Sequence, residues 1–103
     1  MSGEIYVKFY KRAVEAGLLQ TLEPELFVTL TVLATFMDKE GRCFPSQTRL
    51  AELLGVNRKT VNVRMKKLCE IEWQREPLLQ VVGKKGYGNN VYQISRKSGF
   101  CIF

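Results

Sequence analysis

Arg58, Lys59, Thr60, Asn62, Val63, Lys66 and Lys67 fall within ten consecutive residues, and no Asp or Glu interrupts them. Side chains of these types can read the edges of base pairs. Arginine can pair bidentately with guanine and asparagine with adenine, and an exposed valine can touch a thymine methyl. Lysines toward the end of such a run are better suited to phosphates. Ser46, Thr48 and Thr60 stand close to predicted helix starts, where hydroxyl and backbone N–H groups can donate to an anion. The plainer alternative is a solvated basic helix. Such a helix is expected to interleave Glu with its Lys and Arg, and this run does not.

A helix reaches into the major groove only if other elements hold it out at a defined angle. The stretch LAELLGVNRKTVNVRMKKL, Leu50 to Leu68, has the parts for this. Ser46 is a suitable N-cap for a helix Gln47–Leu54 with Leu50, Ala51, Leu53 and Leu54 on its inner face. Gly55 can take the left-handed conformation that stops it, with Val56 plugging the space beneath. Asn57 can cap a second helix running from Arg58 to about Glu70, whose inner stripe is Val61, Met65 and Leu68. Ala51 is small where the helices must approach, and Val61 packs back against the first of them. The pattern is a helix-turn-helix with its second helix turned outward.

Elements on either side fill out the order. Pro24 suits the first turn of a helix, because its missing N–H costs nothing there. From it PELFVTLTVLATFMD predicts a helix to Asp38, with Leu26, Phe27, Leu30, Leu33, Ala34 and Met37 on one face; its threonines and valines also permit a strand. DKEGRCFP reads as a loop. LLQVV and NVYQI read as strands around GKKGYGN, a glycine-rich hairpin loop with two lysines, while Trp73 is expected at the hairpin's base. The start IYVKFYKRAVEAGLL fits either a strand or a helix, with an extended arm passing into a short helix preferred. Its aromatics Tyr6, Phe9 and Tyr10 serve either as core cover or as a dimerisation arm. SGFCIF can add a last strand or join a partner.

Whole-chain properties narrow the function classes. At 103 residues the chain suits one domain, and its 46% hydrophobic and 25% charged content is ordinary for a globular protein. Net charge is +6 and unevenly spread. Residues 1–52 carry six Lys/Arg against seven Asp/Glu, whereas residues 53–103 carry ten against three. That asymmetry points to a polyanion, either nucleic acid or an anionic membrane surface. No uncharged run reaches the roughly 18 residues of a membrane span, and the N-terminus lacks a signal-peptide core, so a cytoplasmic setting is expected. There is no histidine, the commonest general base, and no paired-carboxylate, Ser/Lys or phosphate-loop pattern stands in for it. Cys43, Cys69 and Cys101 form no metal-binding spacing and read as reduced, buried or half-buried thiols. No catalysis, cofactor or metal is expected.

PSQTRLAELLGVNRKTVNVRMKKL resembles the helix-turn-helix of bacterial winged-helix DNA-binding domains. With FVTLTVLATFMDKEGRCFPS ahead of it, the chain is similar to the N-terminal domain of plasmid and phage replication initiators and DnaD-like replisome organisers. Related modules occur in bacterial transcription regulators. The resemblance covers about residues 22–95, between an arm (1–21) and a tail (96–103). It implies an α+β, mainly α fold: a three-helix core, a C-terminal β-hairpin wing and an N-terminal arm. It places Arg58, Lys59, Thr60, Asn62 and Val63 on the groove-facing part of a recognition helix, residues 58–70. Lys84, Lys85 and Tyr87 fall on a wing, residues 83–90, along phosphate or in the minor groove. Arg64 departs from the pattern, standing where many such domains place a small or apolar residue; it is expected to snorkel outward. The partner implied is double-stranded DNA, with a homodimer and replication proteins as further candidates. A small transcriptional regulator and a winged helix used for protein assembly are the alternatives.

Overall fold

The computed structural model describes residues 5–86 and 88–102. Elements run in the order β1 (Val7–Phe9), α1 (Lys11–Glu15), α2 (Leu18–Thr21), α3 (Pro24–Ala34), β2 (Arg42–Cys43), α4 (Gln47–Leu54), α5 (Arg58–Glu70). There follow β3 (Glu72–Trp73), β4 (Glu76–Pro77), β5 (Leu79–Lys85), β6 (Asn89–Ile94), a 3-10 turn (Arg96–Ser98) and β7 (Phe100–Ile102). Helices and antiparallel sheets give an α+β fold.

The core sits among α3, α4, α5 and the hairpin β5–β6. Leu30, Leu33, Leu50, Val61, Leu68, Leu79 and Ile94 are all fully or almost fully buried there. Each such side chain contributes about 1.5–3 kcal/mol relative to exposure. α3 starts at Pro24 and directs Leu26, Leu30, Leu33 and Ala34 inward. It ends at Ala34 rather than Asp38. The last turn tightens, with Phe36 N–H donating to Leu33 and Met37 N–H to Ala34. The Asp38 carboxylate then accepts from the backbone N–H of Glu40 (2.9 Å) and Arg42 (3.0 Å), which turns the chain. Met37 is buried all the same, in the turn beyond the helix. Leu53 was expected on the inner face of α4 but is 45% exposed, since Leu50 and Ala51 set a buried face that points away from it.

DKEGRCFP is not wholly a loop. β2 pairs with β6, Arg42 opposite Gln93 and Cys43 opposite Tyr92, in a three-stranded antiparallel sheet of order β2-β6-β5. The Gln93 side chain donates to the Glu40 carbonyl (2.6 Å) and accepts from Arg42 Nε (3.1 Å). Because β2 leads within a few residues into α4, this pairing ties the hairpin to the start of the two-helix unit.

Arm and tail come together. β1 pairs with β7, Phe9 opposite Phe100, and the ring centroids of Phe9 and Phe27 lie 5.4 Å apart, those of Phe9 and Phe100 4.7 Å. Gly99, at φ +94°, makes the approach; a Cβ there would stand 2.6 Å from that of Ala13. Trp73 is buried in β3, and its indole N–H donates to the Lys97 carbonyl (2.8 Å) beside the chain leaving β6. The β3–β4 turn, Gln74-Arg75, has positive φ at both residues without a glycine. It is held from outside. Lys97 Nζ donates to the Gln74 carbonyl (2.9 Å) and pairs with Glu76 (3.5 Å), whose carboxylate also accepts from the Ser95 hydroxyl.

Candidate nucleic-acid interface

Local chemistry places α5 tightly. The Ser46 hydroxyl accepts from Arg49 N–H (3.0 Å), starting α4, and Gly55 ends it at φ 70°, ψ 32°. The Asn57 side chain accepts from Thr60 N–H (2.8 Å), starting α5 three residues after that glycine's turn begins. Val61, Met65 and Leu68 are buried, and at about 100° per residue Val63 then lies on the opposite crest, 46% exposed. Arg58, Lys59, Lys66 and Lys67 are exposed; Thr60, Asn62 and Arg64 are half-buried. The crest separates two flanks.

The flank facing the hairpin is polar. Arg58, Ser46, Gln47 and Thr48 line one side of a cleft, and Gly88, Asn89 and Asn90 the other; among the described residues no carboxylate lines it. It continues along α5 past Asn62 and Lys66 to Cys69 and Glu70. Gln47 Nε2 reaches Asn62 Oδ1 at 3.5 Å, and Asn90 Nδ2 donates to the hydroxyl of buried Tyr92 (3.3 Å). The strand β5 extends through Lys84 and Lys85, so the tip of GKKGYGN is shorter than expected. Lys84 stands opposite Asn90 and Lys85 opposite Asn89. Lys85 Nζ lies 4.2 Å from the centre of the Phe44 ring, on the segment that enters α4. Tyr87 is outside the described residues.

The other flank faces α3 and is mixed in charge. Lys59, Thr60, Val63, Arg64 and Lys67 border an open hollow with Glu23 and Glu25. Lys67 Nζ is 3.5 Å from a Glu23 carboxylate oxygen. Arg64 does not snorkel outward. Its guanidinium turns toward α3 and donates to the hydroxyl of buried Thr29 (3.3 Å), which itself donates to the Glu25 carbonyl (2.8 Å). A buried hydroxyl oxygen with a free lone pair supplies what the arginine lacks at that position.

A helix-turn-helix domain family matches residues 20–73, just over half of the chain. The chain belongs to that family. No curated protein and no solved structure matched it. The match takes in α3, α4 and α5 of the helix-turn-helix unit, and membership supports a DNA-binding domain.

The expected site residues therefore divide. Ser46, Thr48, Arg58, Asn62 and Lys66 lie along the hairpin flank; Lys59 and Val63 lie near the crest; Thr60 and Lys67 lie toward α3. Gln47, Asn89 and Asn90 escaped sequence reasoning. A signal existed: any short hairpin pairing Gly83–Lys85 with the strand after GYG sets the two asparagines opposite the two lysines. The thiols belong to the packing. Burial, with Asp38 adding to it, pushes the Cys43 thiol up to about 12, and burial with Glu70 raises that of Cys69. Among the described residues no three His, Cys, Asp or Glu side chains gather as a metal group, and no helix is long and apolar enough to cross a membrane.

Proposed function

We propose that this protein is a non-catalytic winged helix-turn-helix domain that binds double-stranded DNA. α5 enters the major groove and the β5–β6 hairpin acts as the wing along the backbone. Arg58, Asn62 and Val63 meet base edges, with Lys59 and Lys66 beside them on phosphate or base. Ser46, Thr48, Lys84 and Lys85 hold phosphates. The observation that carries this reading is the cleft between α4–α5 and the hairpin, where Arg58, three carboxamides and the hydroxyls of Ser46, Thr48 and Tyr92 converge without a carboxylate. Carboxamides and arginine offer the paired donors and acceptors that base edges require. A phosphate entering this part of the cleft faces no carboxylate among the residues that line it.

Within DNA-binding roles, we favour a plasmid or phage replication initiator or replisome organiser, on the resemblance of its sequence to those domains. Selection of bound sequences from a random duplex pool tests the binding and its specificity, and repeated sites near an origin would separate initiation from control of a promoter. With about four phosphates neutralised, log affinity should fall with log salt at a slope of roughly −3 to −4. A protein with no duplex affinity even at low salt would instead be an assembly module. Arg58→Ala or Asn62→Ala should cost about 1–3 kcal/mol on the selected site and relax its sequence. Unchanged specificity in both variants would remove α5 from the groove.

A further inference from the structure

Glu23 and Glu25 open α3, where acids commonly favour the helix N-terminus. That does not account for Glu23. It occupies the N-cap position, yet its side chain makes no capping hydrogen bond and instead lies 3.5 Å from Lys67. Glu25 borders the same hollow, together with Lys59. Of the five cations on α5, Lys67 is thus paired, Arg64 turns toward the neutral Thr29 hydroxyl, Lys59 borders the hollow with two acids, and Lys66 lines the hairpin-side groove that ends at Glu70. Arg58 opens instead onto the cleft without a carboxylate.

We propose that Glu23 and Glu25 form an electrostatic border to the DNA footprint. They neutralise Lys67 and repel phosphate from the α3 flank, so that the duplex is held on the crest and the hairpin flank of α5. This rests on the DNA-binding reading. The ion pair is exposed on both sides, so its contribution to stability is small. Its effect lies in where a polyanion can rest. Without the border, a duplex could roll toward α3 and gain phosphate contacts that carry no sequence information.

The test uses the full chain and a random-sequence duplex, with binding followed by fluorescence anisotropy across a salt series. The double variant Glu23→Gln/Glu25→Gln should bind the random duplex roughly 3–10-fold tighter at low salt, and its salt slope should steepen by about 0.9 for each cation released. Preference for the selected site over random duplex should fall. A charge-matched control, Glu15→Gln/Glu40→Gln, alters acids that do not line the hollow, and should leave the slope unchanged. Equal behaviour of the two double variants would overturn the border and reduce it to net charge. A second arm needs no change in α3. Lys67→Gln should leave the salt slope as it is, because Lys67 is already paired with Glu23, whereas Lys66→Gln should flatten the slope by about 0.9. Equal flattening of the slope by both lysine changes would also overturn the proposal. Absence of any duplex binding by the unmodified chain would remove the DNA reading itself, which is a separate failure.

Discussion

The hairpin flank and the α3 flank of α5 start from similar side chains and end in different environments. Each has an arginine, a lysine and a short polar residue: Arg58, Lys66 and Asn62 on one, Arg64, Lys67 and Thr60 on the other. Opposite the first stand asparagines and hydroxyls; opposite the second stand Glu23, Glu25 and a buried threonine hydroxyl. Positive charge on a helix therefore does not define a binding face by itself. What the neighbouring element presents decides whether a cation remains available to an external anion.

The largest effect should come from removing the support that both flanks share. Leu68 is fully buried, and Leu68→Ala should lower stability by about 2–5 kcal/mol in urea unfolding, weakening both flanks together. A loss under about 1 kcal/mol would mean that α5 is not braced by its apolar stripe. Separating the flanks needs smaller changes. Gln47→Ala and Asn90→Ala should each cost about 0.5–1.5 kcal/mol of DNA affinity, the range of one hydrogen bond, while Thr60→Ala should leave affinity nearly unchanged. Comparable losses at all three positions would merge the two flanks into one.

Other changes should act on folding alone. Asn57→Ala removes the cap of α5 and should cost about 1 kcal/mol of stability without favouring either flank. The smallest effect should come from acid. The Ser95 hydroxyl, with help from Lys97, holds Glu76 below its ordinary value. A group lowered in the folded state contributes stability above its unfolded value, near about pH 4.3, and loses it as pH falls through the folded one. Wild-type stability should therefore drop more than that of Glu76→Gln on acidification, measured by urea midpoints. Parallel curves would show that the Glu76–Ser95–Lys97 clasp contributes nothing.

Much of the fold was legible because short-range chemistry specifies it. Ser46, Gly55 and Asn57 mark helix ends through hydrogen bonds and a left-handed turn that involve only near neighbours in the chain. The α4 and α5 boundaries follow from them. Periodicity found Val61, Met65 and Leu68, but placed Leu53 inside because leucine fits either side of a short amphipathic helix. The end of α3 was harder. Nothing in LATFMD stops a helix locally; the stop comes from Asp38 bonding the next backbone groups and from β6 pairing with Arg42 and Cys43. The Gln74-Arg75 turn also lacked its usual glycine signal, since Lys97 holds it from more than twenty residues away.

The site divided along the same line. Sequence alone determined that a basic, acid-free helix follows a tight turn, because caps, period and charge are properties of consecutive residues. Which of its cations stay available was decided only by the tertiary structure. Folding brings Glu23 to Lys67, Thr29 to Arg64 and Asn90 to the cleft beside Asn62, and electrostatic interaction depends on distance through space rather than on separation along the chain.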